Sequence, residues 1–189
     1  MSKTGSSIGL ATGLAILMAT GAAEWASAKN RTEIEPGAVT ITLRVYDYVH
    51  VNRPALLAAE NEAAAILAEA GVQARWVDCR TSPAEMDSYP DCQWARQATD
   101  FELRVLPDAM VDSRAKWQDA LGAAYEFGGL SSYIANVFYD RVNSLSGGGR
   151  APLAVMLGRA MAHEIGHLLL GANSHSRTGI MRAFGPPGS

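Results

Sequence analysis

With 189 residues, 48% of them hydrophobic, the chain is long enough for one domain with a real core and too short for two comfortable ones. Its formal charge of -3 is small, and its lysines and arginines are scattered rather than gathered into a stripe. Nucleic acid and anionic membrane surfaces are therefore not indicated as partners.

At the N-terminus, Lys3 precedes a mainly apolar stretch from Ile8 to Ala23, and Ala26-Ser27-Ala28 follows with the small-x-small form of a signal-peptidase site. We expect a secretory signal over residues 1–28, cleavage after Ala28, and a single domain over 29–189 that is secreted or periplasmic. The alternative, a membrane anchor, is disfavoured because the stretch is shorter than the roughly 20 residues a span needs and is diluted by Gly and Thr. No stable membrane insertion is expected once the signal is removed.

From Val39 to Val45 apolar residues alternate with Thr40, Thr42 and Arg44, the period of a half-buried strand. Asn52, Arg53 and Pro54 then offer a helix start and Gly71 a stop, enclosing Leu56, Ala59, Ala63, Ile66, Leu67 and Ala70 on one face. Strand signals follow at Val72 to Val77 and at Phe101 to Leu106, separated by a polar loop carrying Cys79 and Cys92. In an oxidising compartment this pair is expected to close into a disulfide that contributes on the order of 3 kcal/mol. Metal-ligating or redox roles are weaker readings, since the spacing is not C-x-x-C and no His lies close. Asp108 to Gln118 is open between a short helix and irregular chain. Leu121, Gly122, Ala123, Ala124 and Tyr125 read as part of a short edge strand from Ala120, and Tyr133 to Val142 as another strand. The last element is an uninterrupted apolar helix from Leu153 to Leu170, closed by Gly171 and buried on most of its faces. The order points to an α/β layer structure, a sheet with helices packed on it.

That last helix contains His163-Glu164-Ile165-Gly166-His167, an H-E-x-x-H motif. Residues four apart share a helix face, so the two imidazoles project side by side and can hold one metal ion. Zinc suits them, because it accepts nitrogen ligands tetrahedrally and keeps one position open in catalytic sites. Glu164, about 100° around the helix from His163, is placed to act as general base without ligating. Gly171 lets the backbone reverse, and His175 follows as the candidate third ligand. Three of the four histidines fall in these 13 residues, which core packing does not explain; His50 stands apart and reads as structural or surface.

These residues resemble the metzincin clan of zinc metallopeptidases, whose signature is H-E-x-x-H-x-x-G-x-x-H followed by a turn with methionine. Here the stretch reads HEIGHLLLGANSH and then SRTGIM, with one extra residue before the glycine and one between it and the third histidine. The chain is also similar to small bacterial secreted proteins that share an early RVYDY strand and the ending GHLLLG…SHS…GIMR. The resemblance implies a zincin-like mixed sheet with a long helix and a buried zinc helix; the tail departs from the clan, which usually carries a C-terminal subdomain with a helix, and with only Arg182 to Ser189 after Met181 a minimal C-terminal subdomain is expected. It also implies that Met181 is the Met-turn residue beneath the metal. One catalytic zinc would polarise a scissile carbonyl and acidify water whose proton Glu164 accepts, and the substrate would be a peptide or protein. The segment Leu121 to Tyr125 is a candidate for pairing with an extended substrate, or is an edge strand without a ligand. Two rival functions stay open: a non-catalytic zinc-binding protein, and a zinc hydrolase of esters or other amides.

Overall fold

A computed structural model describes residues 37–82, 84, 89–93, 97–112, 120–127, 132–147, 152–171 and 174–183, so the expected signal segment lies outside the described residues. Alternating apolar residues build strand β1 (Val39–Asp47), and Asn52 then caps helix α1 (Arg53–Glu69) by accepting the main-chain N–H of Ala55 at 2.9 Å. Pro54 stands in the first turn, where its missing N–H costs nothing. The chain reverses at Gly71, whose φ of 75° favours glycine, and enters β2 (Val72–Cys79). A single helical turn at Pro90–Gln93 follows, then β3 (Asp100–Leu106), a 3-10 turn at Asp108–Met110, β4 (Gly122–Phe127) and β5 (Ser132–Phe138). Helices α2 (Tyr139–Ser146) and α3 (Leu153–Leu170) complete the described elements.

The fold is mixed α/β, with a five-stranded sheet in the order β2-β1-β3-β5-β4. Four strands run parallel, and β4 pairs antiparallel with β5 at the edge. Ile41, Leu43, Val45, Phe101, Leu103, Val105, Ala135 and Val137 line one sheet face and form a single core with α1 and α3. From α1 come Leu56, Ala59, Ala63 and Leu67; from α3 come Leu157, Ala160, Met161 and Ile165. The two helices approach closely, since a Cβ on Gly158 would meet the main-chain oxygen of Ala59 at 2.5 Å. The apolar length of α3 is thus spent on burial along residues 157–166, as expected for a core helix.

Two boundaries differ from the sequence reading. The segment Tyr133 to Val142 is not one strand: β5 ends at Phe138 and α2 begins at Tyr139, with Val142 fully buried and Asp140 accepting the N–H of Asp108 at 2.8 Å. Aromatic and β-branched residues carry strand propensity, yet tertiary contacts decide their conformation here. Leu121 lies just before β4 rather than within it, its carbonyl accepting the N–H of Phe138 at 2.8 Å.

The opposite sheet face is unexpectedly charged. Arg44 is buried and bonds the Asp100 carboxylate at 2.9 Å and the Asp91 carbonyl at 3.0 Å, while Glu102 is buried beside Arg104. The expected disulfide joins Cys79 to Cys92 with Cα atoms 5.7 Å apart, holding the turn that presents Asp91 to Arg44.

Candidate metal centre

Helix α3 places His163 and His167 on one face, and Gly171 ends it with φ of 91°, a conformation that favours glycine and turns the chain back toward the helix. The structure brings His163, His167 and His175 together: Nε2 of His167 lies 3.1 Å from Nε2 of His163 and 3.1 Å from Nε2 of His175. One potential ligand atom from each ring lies within 4.8 Å of the others. His163 is buried, His167 half-buried and His175 exposed, so the group spans from core to solvent.

An imidazole nitrogen offers one in-plane lobe, either N–H or lone pair. Two ring contacts to the same lobe of His167 make a poor pair of hydrogen bonds and fit three lone pairs aimed at one point. Zinc–nitrogen bonds of about 2.0–2.1 Å in tetrahedral geometry set ligand atoms about 3.3–3.4 Å apart, close to the two 3.1 Å separations from His167. The outer ring nitrogens support this assignment. Nδ1 of His163 sits 2.7 Å from the carbonyl oxygen of Ile180, which only accepts, so the ring proton is on Nδ1 and Nε2 is left as a lone pair. Nδ1 of His167 faces the hydroxyl of Ser174 at 3.0 Å. Burial lowers the pKa of both rings, His175 lowers each further, and His163 does the same to His167. Both therefore favour the neutral form that a cation requires.

Glu164 points into a different environment. It is buried, its Oε2 has no hydrogen-bond partner among the described residues, and desolvation pushes its carboxyl up to about 8. Its side chain occupies the space above Gly122 of β4, where a Cβ would meet Cγ and Cδ of Glu164 at 2.6 and 2.7 Å. A nearby dication would favour the carboxylate over the acid.

Beneath the helix, Met181 is buried with its thioether against Gly166, in space that a side chain at 166 would claim. The turn that carries it is closed by Ser176 N–H to the Met181 carbonyl at 2.9 Å and Arg182 N–H to the Gly179 carbonyl at 3.2 Å. Gly179 has φ of 77° there. The same turn offers the Ile180 carbonyl to His163.

Of the residues singled out from sequence, His163, Glu164, His167, His175 and Met181 thus lie together. Gly122, Ala123, Ala124 and Tyr125 lie in the edge strand, with Gly122 against Glu164; Cys79 and Cys92 lie on the other side of the sheet from α3. His50 is exposed and outside the histidine group. Sequence reasoning missed Gly122 as a packing partner of Glu164, Ile180 as the carbonyl that accepts from His163, and Ser174. The chain is therefore a mixed α/β protein with a three-histidine group able to hold a metal ion. Compared with models of protein families and with curated proteins, it matches none.

Proposed function

We propose that this chain is an exported zinc metallopeptidase of metzincin type, with His163, His167 and His175 as ligands and Glu164 as general base. The observation that carries the reading is Glu164, a buried carboxyl with an unpartnered oxygen one residue from a metal ligand. Such a group is costly for stability and useful for moving protons. Zinc bound by the histidines supplies a Lewis acid, which polarises a carbonyl and makes water a stronger acid. Glu164 takes the proton from the attacking water at a carboxylate oxygen and delivers it to the leaving amine. The three neutral rings add no negative charge, which preserves the cation's pull on developing oxyanion character. Among the described residues β4 ends the sheet, and its outer edge offers main-chain groups to an extended chain, favouring a peptide over a small ester as substrate. Residues Gly122, Ala123, Ala124 and Tyr125 form that edge, with Leu121 at its approach. The disulfide supports export, since such bonds persist in oxidising compartments.

A non-catalytic zinc protein is the alternative. Structural zinc sites close with four protein ligands, and here both cysteines are committed to the disulfide. The test measures zinc content and digestion of an unfolded protein for the wild type, His175→Ala and Glu164→Gln. One zinc per chain, weakened in His175→Ala and retained without cleavage in Glu164→Gln, is the expected outcome. Stoichiometric zinc with no hydrolysis by the wild type would select the binding protein, and no zinc would end both readings.

A further inference from the structure

The two histidines of α3 are held in different ways. Nδ1 of His163 meets a carbonyl, which fixes the proton there and leaves Nε2 as a lone pair. Nδ1 of His167 meets a hydroxyl, which can donate or accept, and the ring is only half-buried. The Gly171 main chain also acts on this ring, as the smallest of the influences on it, and Ser174 is the side chain that meets Nδ1 within hydrogen-bond distance. A ring with its proton on Nε2 presents N–H to the centre and cannot bind a cation there.

We propose that Ser174 is the positioning residue for His167, accepting its Nδ1–H and so presenting the Nε2 lone pair to the metal. This rests on the metal-centre reading above and adds a function for the loop that follows α3. That loop leaves the helix at Gly171 and returns with residues 174 and 175 in succession, so one short segment supplies both the brace on the second ligand and the third ligand. A hydroxyl fits the task because it rotates between donor and acceptor without moving a heavy atom. It can satisfy His167 in either tautomer, and binding the cation selects the accepting orientation.

The experiment compares the wild type, Ser174→Ala, Ser174→Thr and His167→Ala. Zinc affinity is measured by competition with a chromophoric chelator, and the visible spectrum is recorded after loading with cobalt. Removing an outer partner of a ligating histidine weakens metal binding about 10–100-fold. Ser174→Ala is expected to fall in that range with an altered cobalt spectrum, while the metal-free protein melts as the wild type does. Ser174→Thr, which keeps the hydroxyl, is expected to recover the affinity and the spectrum, and His167→Ala to lose more than Ser174→Ala. Wild-type affinity in Ser174→Ala would overturn the proposal and leave the metal centre standing. Equal loss in Ser174→Ala and Ser174→Thr would also overturn it, since the hydroxyl would then not be the active feature. If the wild type takes up neither zinc nor cobalt, the metal-centre reading itself falls, an outcome distinct from the other two.

Discussion

Placing a methyl group on Gly122 sets a carbon 2.5 Å from the main-chain oxygen of Asn136 and 2.6 and 2.7 Å from Cγ and Cδ of Glu164. Favourable contacts between carbons fall near about 3.5–4.0 Å, so each overlap is about 1 Å. The Asn136 oxygen belongs to β5, against which β4 is paired, and retreats only if the edge strand shifts. Glu164 is the softer neighbour, yet it is buried and has little room to swing away. Overpacking of this kind costs about 1–3 kcal/mol. For a chain of this size that is about 2–12 °C in Tm. The larger effect is expected in chemistry, because misplacing a reacting group by about 1 Å costs about 100-fold in rate. The three atoms nearest the added carbon belong to Asn136 and Glu164, so zinc content should stay at the wild-type level. The assay follows kcat/KM on an unfolded protein substrate for Gly122→Ala, with zinc content and Tm read on the same preparation. Activity within threefold of the wild type at unchanged Tm would refute the claim that this glycine makes room for the catalytic carboxylate.

Three other predictions use separate parts of the structure. Gly166→Ala should destabilise by about 1–3 kcal/mol, and Met181→Ala by about 2–5 kcal/mol. Because the two side chains compete for one volume, the double variant should be more stable than the sum predicts, and additivity in urea unfolding would refute the contact. Zinc at 100 times its Kd should add about 2.7 kcal/mol, or about 5–11 °C in Tm. A chelator should reverse this shift, and an unmoved melting curve would count against the site. Glu60 is buried beside Asp78, and burial followed by the Asp78 charge raises its pKa from 4.5 to about 7. Its folded value exceeds its unfolded one, so the native chain holds the extra proton between about pH 4.5 and 7 and loses stability as pH rises through that window. Glu60→Gln should therefore match the wild type near pH 4 and gain on it by up to about tenfold in the unfolding constant per pH unit across the window. Parallel pH curves for the two proteins would show that Glu60 does not titrate as described.

Much of this architecture was visible in the order of residues. Alternation in Val39 to Val45 marked β1, Asn52 and Pro54 marked the start of α1, and Gly171 marked the end of α3. The histidine spacing was legible for the same reason: a helix converts four residues of sequence into one shared face. What escaped notice depends on neighbours distant in sequence. Glu102 and Arg44 alternate with apolar residues as solvent-facing groups do, yet both are buried, and no periodicity reports that a second sheet face is covered. Tyr139 and Val142 carry strand-like side chains but lie in α2, where the fit of Val142 into the core outweighs propensity. Gly122 looked like a small residue in a weak strand, and its importance lies in a carboxylate 42 positions later in the chain. Ser174 gave no sign because a single hydroxyl has no pattern.

The three-histidine group and the surroundings of Glu164 come from different parts of the chain. His163, His167, Ser174, His175, Ile180 and Met181 occupy one continuous run, and its internal contacts need little from the sheet. The seclusion of Glu164 depends instead on β4, which among the described residues pairs with one strand, β5. Loss of that strand would leave the three-histidine group in place while the carboxylate of Glu164 lies open to water. On the peptidase reading, retention of zinc would thus be a poor witness to activity, and turnover would fail under mild stress before metal binding.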